Sequence, residues 1–193
     1  MTNPPKLEAP GAGIPTIERL VAKYWLLRRY YKSTDWDKSL GFFDHIGKKI
    51  IDVVSPLNAE KLGTPVLIDR FPGIEDSSRY WSVAMTVEHL IIVGDKMSEQ
   101  IVALTNGHMP SGMVNTAAVK PAGKLDPGAT RTEFEAYLAR YRKRVTEEVG
   151  DRNSKLTFRH PWFHEMTAYQ WHCLAGVHQN LHYKQILAII KGL

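Results

Sequence analysis

The chain has 193 residues, a formal net charge of +5 and a pI near 9.3, with 44% hydrophobic and 23% charged residues. That length suffices for one well-buried domain, and the balance is ordinary for a globular chain. The single cysteine, Cys173, excludes an intrachain disulfide framework, and no apolar run reaches membrane-spanning length: Ile186 to Ile190 stops at Lys191.

The opening stretch, MTNPPKLEAPGAGIP, has no apolar signal segment and reads as a polar lead-in, so a cytoplasmic protein is expected. Ile17, Leu20, Tyr24, Leu27 and Tyr31 then recur at spacings of three and four, with Val21 and Trp25 widening the stripe. This predicts an amphipathic helix over 15–33, suited to docking on the main body, to a dimer interface or to a membrane surface. Leu40, Phe43, Gly47, Ile50, Val54 and Leu57 predict a second helix over 38–57, with Gly47 admitting a neighbouring backbone. His45 lies off that stripe.

Residues 58–81 carry Gly63, Pro65, Pro72 and Gly73 without clear periodicity and read as a long ordered connection rather than a strand pair. Ser82 is placed to cap the next helix, 82–105, whose stripe is Met85, His89, Val93, Met97 and Leu104. From Asn106 to Thr130, glycines and prolines mark a second long loop, a lid or wall for a site. Phe134, Tyr137, Leu138, Tyr141, Val145 and Val149 give a helix over 131–149. The last helix, from about Glu165 to Lys191, has Trp171, Ala175, His178, His182, Gln185 and Ile189 on its inner stripe, with Cys173 packed inside. The pattern is all-α: four core helices, an additional N-terminal amphipathic helix and long inter-helix loops. It divides the chain into a lead-in and extra helix, 1–35, and a bundle, 36–193. The basic runs Arg28-Arg29-Tyr30-Tyr31-Lys32 and Arg140-Tyr141-Arg142-Lys143-Arg144 fall in helical patterns and read as solvated faces, so no nucleic-acid partner is expected.

His178 and His182 stand one turn apart on one face, about 6 Å along the axis, close enough to lean onto one metal ion or to be there by chance. His89 adds a third imidazole on an inward stripe. Three neutral imidazoles suit a zinc, nickel or iron ion and leave coordination open for water or substrate. Gln185, a turn beyond His182, is placed to position a neighbour. Gln179 stands where a zinc protease with the H-x-x-x-H spacing has its glutamate base, and the Glu-x-x-His pairs of di-iron bundles are missing, so both readings are excluded.

Trp81-Ser82-Val83-Ala84-Met85-Thr86-Val87-Glu88-His89-Leu90 resembles the start of the second helix of the DinB/YfiT-like superfamily. His160-Pro161-Trp162-Phe163, Met166-Thr167-Ala168-Tyr169-Gln170-Trp171 and His178-Gln179-Asn180-Leu181-His182-Tyr183-Lys184-Gln185-Ile186 resemble its final helix, so the likeness covers about 38–191. The resemblance implies a four-helix bundle, often a homodimer, holding one divalent transition metal on a histidine triad that maps to His89, His178 and His182. It implies a small-molecule substrate and, as the leading reaction, metal-dependent S-transfer with a low-molecular-weight thiol. A metal-dependent hydrolase is the alternative, weakened because no Asp or Glu stands obviously beside the triad. A non-catalytic metal- or ligand-binding protein is the third reading. Two departures are the extra N-terminal helix and His164, where a small residue, often glycine, is expected. His164 reads as a surface turn histidine before it reads as lining the site entrance, His160 and His172 are set aside in the same way, and His172, six residues before His178, lies on another helix face.

Overall fold

The computed structural model of the protein describes residues 5–111 and 116–193; the part of the predicted second loop at 112–115 and the first four residues of the lead-in lie outside them. Helix α1 spans residues 16–33 and passes through a π-helical turn at Ala22–Leu26. Helix α2 is Trp36–Val54, begun by Asp35, whose side chain accepts from the Lys38 amide at 2.8 Å. A short helix, α3 (Ala59–Gly63), leads to β1 (Val66–Leu67), which pairs antiparallel with β2 (Tyr80–Trp81). Helix α4 is Val83–Thr105, capped by Ser82 as its sequence predicts, with Ser82 Oγ 3.1 Å from the Met85 amide. Helix α5, Thr130–Lys143, runs on through a π-helical turn at Arg144–Glu148. The hairpin β3 (Thr157–His160) and β4 (His164–Thr167) precedes α6, Ala168–Lys191, which Thr167 and Gln170 open with a reciprocal capping box.

Around the bundle α2 packs on α6, α6 on α4, α4 on α5, and α5 on α2. Helices α2 and α4, consecutive among the four, therefore face each other across the diagonal, as do α5 and α6. Each diagonal step is bridged by a connection that crosses the end of the bundle, residues 58–81 and 149–167. The core is aromatic-rich: Phe43 stacks on Tyr141 with ring centroids 4.0 Å apart, and Tyr137 and Phe134 complete the cluster. Two glycines admit bulk. At Gly94 a Cβ would lie 2.0 Å from the Tyr137 hydroxyl, and at Gly47 it would lie 2.8 Å from Leu138. The neighbour that Gly47 admits is thus a side chain and not a backbone.

Several expectations are corrected. The connection 58–81 does contain a strand pair, two residues long on each side, too short to leave an alternating pattern. The residues at Glu165 and Met166 belong to β4, so the last helix starts three residues later than its apolar run suggests. On α4 the fully buried stripe is Val83, Val87, Leu90, Met97, Ile101 and Leu104, while Met85 and Val93 are only partly buried. His89 flanks that stripe, is buried as expected, and meets α6 and the second loop. The apolar stripe of α1 is mostly uncovered: Leu27 is buried, but Ile17, Leu20, Tyr24 and Trp25 are exposed. Glu18 ties down the start of the helix, taking both Arg70 guanidinium nitrogens at 2.8 and 2.7 Å and the Gly73 amide at 3.0 Å, and the Tyr169 hydroxyl holds its end at the Tyr31 carbonyl, 3.0 Å away. In the basic runs, Arg140 and Arg144 pair with Asp95 and Arg142 with Asp44, as solvated faces do. No helix among the described residues is long and apolar enough to cross a membrane.

Candidate metal centre

The bundle brings His89, His178 and His182 together, each offering one ring nitrogen, with all three nitrogens within 4.8 Å of one another. His89 Nε2 lies 3.3 Å from His178 Nε2, and His182 Nε2 lies 3.1 Å from it. The Nδ1 side of two rings is already engaged. His89 Nδ1 donates to the Val119 carbonyl at 2.8 Å, and His182 Nδ1 donates to Gln185 Oε1 at 2.6 Å. Gln185 is held in that orientation because its Nε2 donates to the Ser78 carbonyl at 2.7 Å. These bonds fix the tautomer and leave a lone pair on Nε2 of His89 and of His182, both aimed at the same point.

Burial holds all three rings neutral at physiological pH. For His89 desolvation outweighs the Val119 bond and, with the Lys120 cation nearby, brings the pKa down to about 4. His178 and His182 are pushed well below the ordinary range, by burial first and then by the neighbouring rings. Neutral imidazole is the ligand form. Four nitrogens set tetrahedrally at about 2.05 Å from zinc stand about 3.3 Å apart, which the two Nε2 separations match. Facing lone pairs in a buried site are unfavourable without a cation or proton between them, so the donor set fits a divalent ion.

The walls come from the segments that lack periodicity. Trp81 of β2 lies parallel to the His182 ring, 15° between planes, and its centroid is 5.2 Å from that of His89. Lys120, next to Val119, reaches Ser78 Oγ at 2.7 Å and Glu75 Oε2 at 2.5 Å, pinning the 117–119 turn to the 66–81 connection. The predicted wall thus exists, built from both loops. A cavity beside the histidines is lined by Glu75, Val93, Met97, Trp162, Trp171 and Leu181. Glu75 and Lys120 were invisible to periodicity because they sit on loops; only their position between Gly73 and Ser82, and after Val119, could have drawn attention.

The remaining histidines separate clearly. His172 is buried, stacked on Trp36 and bonded to the Trp36 carbonyl and the Tyr141 hydroxyl, both at 3.0 Å, away from the triad as its spacing predicts. His164 is exposed at φ 64°, a left-handed conformation that explains why glycine suits this turn and that histidine adopts more readily than most residues. His160 is not a surface turn histidine. Its Nδ1 accepts from the Trp162 and Phe163 amides at 3.0 and 3.3 Å, its ring stacks on Phe163, and it lines the cavity. Burial lowers its pKa to about 3. Glu88 turns away from the triad and accepts from the Ala122 and Lys124 amides, fastening the second loop.

A family model described as the DinB superfamily matches residues 43–186. Among solved structures the fold is similar to the crystal structure of TT2238, a four-helix bundle protein, with a TM-score of 0.54 and 23% identity, covering 79% of this chain and 98% of that one. No curated protein matches the sequence.

Proposed function

We propose, from the premise that this chain belongs to the DinB superfamily, that His89, His178 and His182 hold one divalent transition metal, zinc, nickel or iron, and that the adjoining cavity takes a small-molecule substrate for S-transfer with a low-molecular-weight thiol. The convergence of three Nε2 atoms, those of the buried His89 and His182 freed by hydrogen bonds at Nδ1, carries this reading. Bound there by three neutral ligands, the ion would supply Lewis acidity that draws a thiol to its thiolate near neutral pH. His89, His178 and His182 are ligands in this reading and move no protons. Trp81 and the apolar walls keep water from the nucleophile, and His160 orders the turn that carries Trp162.

Hydrolysis is a second reading, favoured by one observation: Glu75, a buried carboxylate, lines the cavity. Its Oε2 is held by Lys120 and Ser77, so only Oε1 is left to act as the base that water activation needs. The exposed Leu20, Tyr24 and Trp25 of α1 offer a surface for a homodimer, which sedimentation velocity tests directly. The test of the reaction is a panel of common cellular thiols with electrophilic acceptors on metal-loaded protein, run beside ester and amide substrates. Metal-dependent conjugation with at least one thiol is expected; no thiol turnover together with metal-dependent ester cleavage reverses the order of the two readings.

A further inference from the structure

We infer that Glu75 is the residue with which this cavity recognises its substrate, accepting a hydrogen bond from an uncharged N–H or O–H group a few atoms from the metal-directed end. The inference rests on the reading above, that the cavity takes a small-molecule thiol at the histidine site. Glu75 is 5% exposed and shares the cavity wall with His89, His178 and His182. One of its oxygens is fully engaged: Oε2 meets Lys120 Nζ at 2.5 Å and the Ser77 hydroxyl at 3.3 Å. The other, Oε1, is buried with no hydrogen-bond partner among the described residues. A carboxylate oxygen withdrawn from water without a donor gives up bonds that it has in the unfolded chain, and folded proteins seldom leave such an atom unanswered.

Its place in the cavity is set by Lys120. That residue follows Val119, whose carbonyl holds His89, and its ammonium lies 5.3 Å from the Trp81 ring centre. Glu75 therefore belongs to the metal end. The opposite end is marked by Gln100, eleven residues from His89 along α4, a rise of about 16 Å. Charge decides the kind of donor. Lys120 already balances Glu75, and a divalent ion on three neutral imidazoles adds positive charge close by. A ligand ammonium would be repelled there, whereas an amide N–H or a hydroxyl satisfies Oε1 without adding charge. Val93, Met97, Trp162 and Leu181 offer apolar contact between the two ends, while Lys96 and Gln100, whose Oε1 is likewise buried without a partner among the described residues, lie further along α4; at the metal end Glu75 Oε1 is therefore the orienting handle.

Isothermal titration calorimetry on zinc-loaded protein tests the assignment with N-acetylcysteamine and 2-mercaptoethyl acetate, thiols that differ only in an amide N–H against an ester oxygen. The amide is expected to bind at least about tenfold tighter, because the ester sets an acceptor against Oε1. In Glu75→Gln the ratio should fall towards one while both thiols still bind. Equal affinities in the wild type overturn the assignment and leave the thiol reading standing, as does a preference that survives Glu75→Gln. Binding of neither thiol overturns the thiol reading, and with it the premise used here. The wild-type comparison needs no variant, so it stays decisive even if Glu75→Gln fails to fold.

Discussion

At the scale of single residues, the orientation of His182 depends on a side chain outside the triad. Gln185 Oε1 takes the His182 Nδ1 proton at 2.6 Å, and Gln185 is itself fixed by the Ser78 carbonyl. Replacing it by leucine keeps the volume and removes both bonds, leaving the ring free to rotate and its tautomer unset. Gln185→Leu should weaken metal binding about 10–100-fold, measured by competition with a chromophoric chelator, while the far-ultraviolet circular dichroism stays unchanged. His172 makes a separate prediction, about stability. Desolvation brings its pKa to about 4, against an ordinary value of 6.5, with the Trp36 bond opposing. Between those two values the unfolded chain takes up the proton and the folded chain does not. The stability tied to this ring is therefore complete near neutrality and is lost as pH falls from about 6.5 towards 4, on the order of 3 kcal/mol. Urea midpoints at pH 7 and pH 4.5 check this: His172→Gln should show a smaller loss between them than the wild type.

At the scale of elements, helix contacts are tight enough for one methyl group to matter. A Cβ at Gly94 would meet the Tyr137 hydroxyl at 2.0 Å and its ring carbons at 2.4 and 2.5 Å, and Tyr137 is a buried ring of α5 that has no room to retreat. Alanine gains ~1 kcal/mol of helix propensity, but forcing α4 from α5 costs about 1–3 kcal/mol. Gly94→Ala should thus lower the melting temperature, read by calorimetry. The long helices were legible because apolar spacings of three and four persist over many turns, and Ser82 marked its cap directly. Strands of two and four residues leave no such trace, and β4 hides at the front of the apolar run that continues into α6. Of the site, the three histidines and Gln185 were legible because each lies on a long periodic helix. Val119, Ser78, Glu75 and Lys120 were not, since they act through loop positions whose partners are 30 or more residues distant in sequence. The first half of α1 shows the converse: its apolar stripe was plain, but periodicity does not say what, if anything, covers it.

For the whole molecule, the connections and the site are one structure. Diagonal placement of α2 and α4 obliges residues 58–81 to cross the end of the bundle, and that crossing supplies Glu75, Ser78 and Trp81. Helix α1 is latched to the same segment through Glu18, Arg70 and Gly73. The second loop returns to it through Lys120. The bundle positions the three Nε2 atoms, and the loops wall the cavity beside them. The central claim is that these atoms hold a single divalent ion, and elemental analysis of the purified protein beside a His178→Ala/His182→Ala variant tests it most directly. The wild type should carry about one zinc, nickel or iron ion per chain, and the folded variant should carry almost none; equal metal content in the two would contradict the account.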